Sequence, residues 1–220
     1  MPKQFVVIGL GSFGTHLAAA LGKFGHEVLA IDRQEKRVEE IKDQVTQAVI
    51  ADATDEDALR ELIPQKVDAV VVGMGDNLEA SILTTLILRE LKVEHIVVKA
   101  MSRYHARALE LLGATEVVQP ERDVALSLAE RLTTPNLLAA IALGPHYSAL
   151  DFATPERFFG KTLGQLKLRN RYNVLVIAVR NVLLNRSDTL PGADYRLEPD
   201  TVMTILARAD DIAKLDFLRT

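Results

Sequence analysis

Cysteine and tryptophan are both absent from the 220 residues, and aromatic side chains make up only 5%. The missing thiols exclude disulfides, thiolate catalysis and cysteine-based zinc sites, and they fit a reducing cytoplasm. Long apolar runs are missing as well. The longest, counting glycine, covers the eight residues from Leu137 to Gly144, against the roughly 18 or more that a membrane-spanning helix needs. No segment is therefore expected to cross a bilayer. Basic excess is lacking too: 26 Lys and Arg stand against 30 Asp and Glu, a net charge of −4. That balance argues against nucleic acid as the main partner, because such affinity rests on a surface that neutralises phosphates. Met1 leads almost at once into the first apolar run, which predicts neither a signal peptide nor an N-terminal DNA-reading module. Pro/Gly/Ser-rich linkers and low-complexity tracts do not occur.

What is present is the composition of a soluble globular protein, 48% apolar and 25% charged, long enough for one large domain or two ordinary ones. The most informative stretch is Phe5-Val-Val-Ile-Gly-Leu-Gly-Ser-Phe-Gly14, a strand-forming run that enters Gly9, Gly11 and Gly14, with Asp32 eighteen positions beyond. Strand, glycine turn, helix and distant acid are the fingerprint of a Rossmann nucleotide site. Gly9 permits the tight turn, Gly11 lets backbone approach a pyrophosphate, and Gly14 allows close packing of helix on strand. The anion then meets free N–H groups at the helix N-terminus. Asp32 closes the second apolar strand, where a carboxylate accepts ribose hydroxyls, so a 2′-phosphate would face its charge and NADP is disfavoured. As a rim residue, Asp32 is expected to touch ribose and not core. Its replacement by alanine should then weaken nucleotide binding and leave the fold intact.

Apolar runs recur at Phe5–Ile8, Val28–Ile31, Ala48–Ala51, Val67–Gly73, Ile96–Val98 and Glu116–Val118, with amphipathic stretches of helical length between nearly all of them. The alternation predicts an α/β fold with a doubly wound parallel sheet over residues 1–133. Helix starts are expected at Thr54-Asp-Glu-Asp57 and Asp76-Asn-Leu-Glu79, with Thr54 and Asp76 as caps three residues ahead of a carboxylate. Thr133-Thr-Pro-Asn136 breaks the pattern and marks the domain boundary. Beyond it, Leu137–Leu143 reads as a short apolar helix that packs between subunits. Strands are expected at Tyr147–Phe152, Val174–Arg180 and Val202–Ala207, and helices at Leu163–Leu168 and Ile212–Leu218. Residues 137–220 thus form a small α+β domain.

Ligands of open α/β sheets bind beyond the carboxyl ends of the strands. Asp52-Ala-Thr54, Gly73-Met-Gly75 and Lys99 all fall on that rim. Lys99 is either a phosphate-facing cation or a snorkelling, salt-bridged side chain. Arg103 and Arg107, four apart on a likely helix, read as a solvated face or as a helix reaching toward phosphate or a partner. The five histidines form no close metal-ligand pattern, and only His146 lies beyond the boundary, placed to reach into a cleft. A dehydrogenase needs a group that presents an acid or base to the hydride-transfer centre, and none is evident. A small NAD-dependent oxidoreductase nevertheless stays open as the alternative reading of the fingerprint.

Gln4-Phe-Val-Val-Ile-Gly-Leu-Gly-Ser-Phe-Gly14, Gly25-His-Glu-Val-Leu-Ala-Ile-Asp32, Ala51-Asp-Ala-Thr54, Leu83-Thr-Thr-Leu86, Val98-Lys-Ala100 and Gln119-Pro-Glu-Arg-Asp123 together resemble the RCK family, regulators of potassium conductance, in its KtrA/TrkA-type form. Residues 1–133 look like RCK_N, and 137–220, with Leu166-Lys-Leu-Arg-Asn-Arg-Tyr172, like RCK_C. The resemblance implies a cytoplasmic, non-enzymatic regulatory subunit. It would form a homo-octameric ring, a tetramer of dimers, docked beneath a membrane-embedded potassium-translocating subunit of KtrB/TrkH type, with bound nucleotide setting the ring's shape. By the same likeness Gly9, Gly11, Ser12, Phe13 and Gly14 form the phosphate loop, Asp32 and Arg33 take the ribose, and Asp52, Ala53 and Thr54 line the adenosine. Gly73, Met74 and Gly75 flank the nucleotide, Lys99 approaches the phosphates, and Glu121 helps hold Mg²⁺ beside ATP. Ser12 stands where several KtrA-type members carry an arginine that senses the γ-phosphate. ATP or ADP is accordingly joined by NAD or NADH as the expected ligand. The likeness further implies a cyclic di-AMP site in the second domain, with Arg169 and Asn173 on its polar side and Pro191 on its apolar side.

Overall fold

Apolar runs of four to six residues are buried on both faces only when helices cover each side of a parallel sheet. The computed structural model, which describes residues 1–133, 136–144, 146–212 and 215, has this arrangement in its first compact unit, Met1–Pro120. Strands β1 (Gln4–Ile8), β2 (Glu27–Asp32), β3 (Gln47–Ile50), β4 (Ala69–Val72), β5 (Ile96–Lys99) and β6 (Glu116–Val118) pair in parallel in the order β3-β2-β1-β4-β5-β6. Helices α1 (Ser12–Lys23), α2 (Glu35–Ile41), α3 (Glu56–Leu62), α4 (Leu78–Glu90) and α5 (Arg103–Leu112) connect them.

Alternate residues of each strand serve opposite faces. Val6 and Ile8 join Val70, Val72, Val98, Leu88 and Leu109 in one core. Val7 joins Ala30, Ala18, Val38 and Ile41 in the other. The chain runs outward from β1 to β2 and β3, then returns to start again at β4 beside β1. That reversal places the topological switch point at the carboxyl ends of β1 and β4, where ligands of such sheets sit.

The second compact unit, Glu121–Thr220, begins one residue into helix α6 (Pro120–Thr133). Strands β7 (Leu137–Ala142), β8 (Tyr147–Ala153), β9 (Leu175–Asn181), β10 (Arg186–Thr189) and β11 (Thr201–Arg208) make an antiparallel sheet in the order β10-β9-β11-β8-β7. Short helices α7 (Leu163–Leu166), α8 (Leu168–Tyr172) and α9 (Ala209–Ile212) accompany it. Phe152, Leu150, Leu197, Met203 and Ile205 are its fully buried centre.

The expected helix at Leu137–Leu143 is instead the edge strand β7, paired with β8 from Leu137 opposite Phe152 to Ala142 opposite Ser148. Its alanines favour helix, but strand pairing with β8 overrides that weak preference. Gly144 at φ +84° turns the chain, and Leu143 N–H donates to the Tyr147 carbonyl at 2.7 Å to close the hairpin. Leu137 is buried while Leu138 and Ile141 are 46% and 62% exposed. The polar strand β10 carries no apolar alternation and escaped the sequence reading. Of the expected helix at Ile212–Leu218, Ile212 ends α9, and residues 213–214 and 216–218 lie outside the described residues.

Both expected helix caps sit one residue later than Thr54 and Asp76. Asp55 accepts from the N–H groups of Asp57 and Ala58, and Asn77 accepts from Ala80 N–H. Thr54 is otherwise engaged, because its own N–H and hydroxyl both donate to Asp52.

Candidate nucleotide site at the strand switch point

The glycine loop leaves β1 with Gly9 at φ +89°, a conformation open to glycine at little cost. A Cβ on Gly14 would lie 2.0 Å from the Gly9 carbonyl oxygen, so α1 starts in direct contact with the turn. A Cβ on Gly11, by contrast, would meet no atom within 4 Å. The space on the side-chain side of Gly11 is thus open. Gly11 is the N-cap of α1 and brings no side chain to its free N–H groups, and no acid occupies the first turn. Ser12 is exposed there, and Phe13 half-buried. This end of the helix is positive and unscreened from within.

Lys99, the last residue of β5, is buried to 8% exposure, and its ammonium lies 6.0 Å from the centre of the Phe13 ring. A strand therefore delivers a cation beside the loop. Gly73 N–H donates to the Ile8 carbonyl at 2.7 Å, which ties the end of β4 to the end of β1. A Cβ on Gly75 would strike the Met101 sulfur at 2.6 Å, so the Gly73-Met74-Gly75 turn rests against the loop after β5.

Asp32 departs from the expectation of a rim residue clear of the core. It is 6% exposed, and its carboxylate is already engaged. Oδ2 accepts Leu10 N–H at 2.7 Å and Oδ1 accepts Gln34 N–H at 2.8 Å. Arg37 Nη1 pairs with Oδ2 at 3.3 Å. Asp32 clasps the glycine loop to the β2–α2 turn, and one of its roughly four lone-pair positions is left for a ligand. Arg33, next in sequence, is exposed.

Asp52 Oδ1 accepts both the N–H and the hydroxyl of Thr54, at 2.9 and 2.7 Å. Those bonds, with a smaller contribution from Arg33, hold its carboxyl below the ordinary range. Ala53 is buried, and its carbonyl accepts the hydroxyl of Thr84 from α4 at 2.9 Å. Thr84 thereby fixes the segment expected to line the adenosine. Sequence reasoning placed Thr84 in a family segment without that role, and only a long-range contact reveals it.

His105 was also missed. It is 2% exposed, its Nδ1 accepts Met101 N–H at 3.3 Å, and its Nε2 is buried with no hydrogen-bond partner among the described residues. Burial pushes its pKa down. Of the other histidines, His16 touches the Ser12 carbonyl at 2.6 Å.

Open space over Gly11, an uncapped helix end, a buried cation and a carboxylate with one free position fit the phosphates and ribose of an adenine nucleotide. Glu121 lies in the first turn of α6, in the second unit. No cluster of three or more His, Asp or Glu side chains suited to a metal occurs among the described residues. In the second unit a pocket of about 270 Å³ is lined by Arg169 and Asn173 together with Tyr147, Leu206 and Arg208. Pro191 does not line it. Asn173 also donates to Asp211 at 3.2 Å. No helix among the described residues is long and apolar enough to cross a membrane.

Comparison with known proteins identifies the family of both units. The TrkA-N domain family matches residues 5–120 and the TrkA-C domain family residues 149–216. Ktr system potassium uptake protein C of Bacillus subtilis is 36% identical over 219 residues, which is 98% of this chain and 97% of that protein. Among solved structures, the GsuK RCK domain superposes over the whole chain and 48% of its own length, with a TM-score of 0.70 at 20% identity. The GsuK channel bound to NAD gives 0.68 at 19%, covering all of this chain and 40% of its own. The last two establish the fold. With both domains in order and a Ktr relative aligned along nearly its full length, this chain belongs to the TrkA-N/TrkA-C (RCK) family of potassium-uptake regulators.

Proposed function

We propose that this chain is the cytoplasmic regulatory subunit of a potassium-uptake system, that it binds ATP, ADP, NAD or NADH at the glycine loop, and that it is not an enzyme. The single observation that carries the reading is the open glycine loop beside Asp32, in a chain related along its whole length to a Ktr potassium uptake protein. Gly9, Gly11, Ser12, Phe13 and Gly14 cradle the phosphates, with Lys99 as their counter-charge. Asp32 and Arg33 meet the ribose. Asp52, Ala53 and Thr54 line one side of the adenosine, and Gly73, Met74 and Gly75 the other. Glu121 supplies a carboxylate to Mg²⁺ bound with the nucleotide; magnesium is commonly held by one or two carboxylates plus phosphates. Residues 1–133 serve as the nucleotide-binding domain, and residues 137–220 dimerise and regulate.

When bound, the nucleotide supplies a polyanion and a flat base that two shapes of the protein can hold unequally. Turning a 1:99 population into 99:1 takes about 10⁴-fold differential affinity, a demand that coupled sites can share. We infer a homo-octameric ring, a tetramer of dimers, lying against the inner face of the plasma membrane through a KtrB/TrkH-type subunit. The exposed Leu138 and Ile141 on edge strand β7 support contact between copies. In the second domain, Arg169 and Asn173 line one pocket and give cyclic di-AMP a polar wall there; Pro191 stands apart from it.

The test is potassium uptake in bacteria that retain a Ktr-type membrane subunit and lack its regulator. Expression of this chain should restore uptake well above the empty vector. Uptake no better than the empty vector would overturn the assignment.

A further inference from the structure

A bare carboxylate at the end of β2 repels a 2′-phosphate, which is why Asp32 taken alone disfavours NADP. In the structure that carboxylate is not bare. Leu10 and Gln34 give it two backbone N–H groups, and the Arg37 guanidinium stands 3.3 Å from Oδ2. The two backbone donors are fixed by the loop and the turn. Arg37 is the movable one, on the first helical turns of α2 with its side chain 39% exposed, whereas the Asp32 side chain is 5% exposed. Arg33 follows Asp32 directly, and its positive charge already acts on Asp52. Since Asp32 lies opposite Ile50 in the β2–β3 register, Asp52 belongs to the same rim. Two guanidinium groups thus stand on the same rim as these two carboxylates.

A ribose hydroxyl that hydrogen-bonds Asp32 must stand within a few ångströms of the group already paired with the same carboxylate. Arginine is suited to exchange one oxyanion for another, because its planar fork binds carboxylate and phosphate alike. We infer that Arg37 is a specificity-determining residue, pairing with Asp32 when the ribose 2′ position carries a hydroxyl and with the ligand when it carries a phosphate. The site then accepts 2′-phosphorylated adenine dinucleotides alongside NAD. This rests on the nucleotide reading of the glycine loop and extends it to a ligand class.

The experiment is calorimetric titration of the nucleotide-stripped full chain with NAD, NADP and ADP, for the wild type, Arg37→Met and Arg37→Lys, each checked for its fold by circular dichroism. NADP should bind the wild type within about tenfold of NAD. Arg37→Met should weaken NADP about tenfold or more and NAD by less than about threefold, and Arg37→Lys should recover part of the NADP affinity. Wild-type exclusion of NADP by more than tenfold overturns the inference, as does an Arg37→Met variant that shifts both dinucleotides equally. If the wild type binds none of the three, and neither ATP nor NADH titrated beside them, the nucleotide reading itself falls and the inference with it; NAD and ADP binding without NADP sinks the inference alone.

Discussion

Replacing Asp32 by alanine should destabilise the protein even with no nucleotide present. The carboxylate holds Leu10 N–H at 2.7 Å and Gln34 N–H at 2.8 Å inside a site that is 6% exposed. Hydrogen bonds to a charged acceptor contribute about 1.5–3 kcal/mol each, and a buried donor left without a partner keeps its desolvation cost. Losing two of them, with Arg37 stripped of its counter-ion, costs about 3 kcal/mol once water entering the small cavity offsets part of the loss. For a chain of this size that lowers Tm by about 6–12 °C. Differential scanning calorimetry of nucleotide-free wild type and Asp32→Ala reads this directly. A Tm within about 2 °C of wild type would refute the reasoning and return Asp32 to the role of a free rim carboxylate.

The glycine loop separates packing from binding. Gly14→Ala brings a Cβ to 2.0 Å from the Gly9 carbonyl and should cost about 1–3 kcal/mol by overpacking, visible as a lowered Tm. Gly11→Ala meets nothing within 4 Å, so it should keep the wild-type Tm within a few degrees and weaken nucleotide binding about tenfold or more. His105 should make stability depend on pH. Its folded pKa lies below the unfolded value of about 6.5, so its contribution is complete above that value, declines as pH falls toward the folded pKa, and is flat below it. His105→Gln should lose less Tm between pH 7.5 and 5.5 than wild type does; an identical loss would contradict the assignment. Ile141→Glu, on a side chain 62% exposed, should leave the circular dichroism spectrum unchanged and shift the light-scattering mass to smaller species. Unfolding, or an unaltered mass, would exclude β7 as a contact between copies.

The first domain was legible because its signals are local. Four-residue apolar runs, glycines at fixed spacing and an acid at the end of β2 are each written within a few residues, and a doubly wound parallel sheet follows from their alternation. The second domain depended on pairing that no short segment declares. Leu137-Leu-Ala-Ala-Ile-Ala-Leu143 has alanines that suit a helix, and only its register with β8 makes it a strand. At the site the glycines were readable, whereas the clasp around Asp32 was not. Its partners Leu10, Gln34 and Arg37 look ordinary in sequence, and they converge because β1 and β2 are neighbours. Thr84 and His105 were hidden for the same reason: their partners, Ala53 and Met101, reveal themselves only through contacts made in the folded chain.

The central claim is that an adenine nucleotide binds with its phosphates over Gly11. Calorimetric titration of the nucleotide-stripped chain with ATP, ADP, NAD and NADH, beside Gly11→Ala at matched Tm, tests it most directly. The account predicts saturable binding of at least one of the four at one site per chain, and a loss of about tenfold or more in the variant. No binding of any of them to the wild type, or equal affinity in Gly11→Ala, would contradict it.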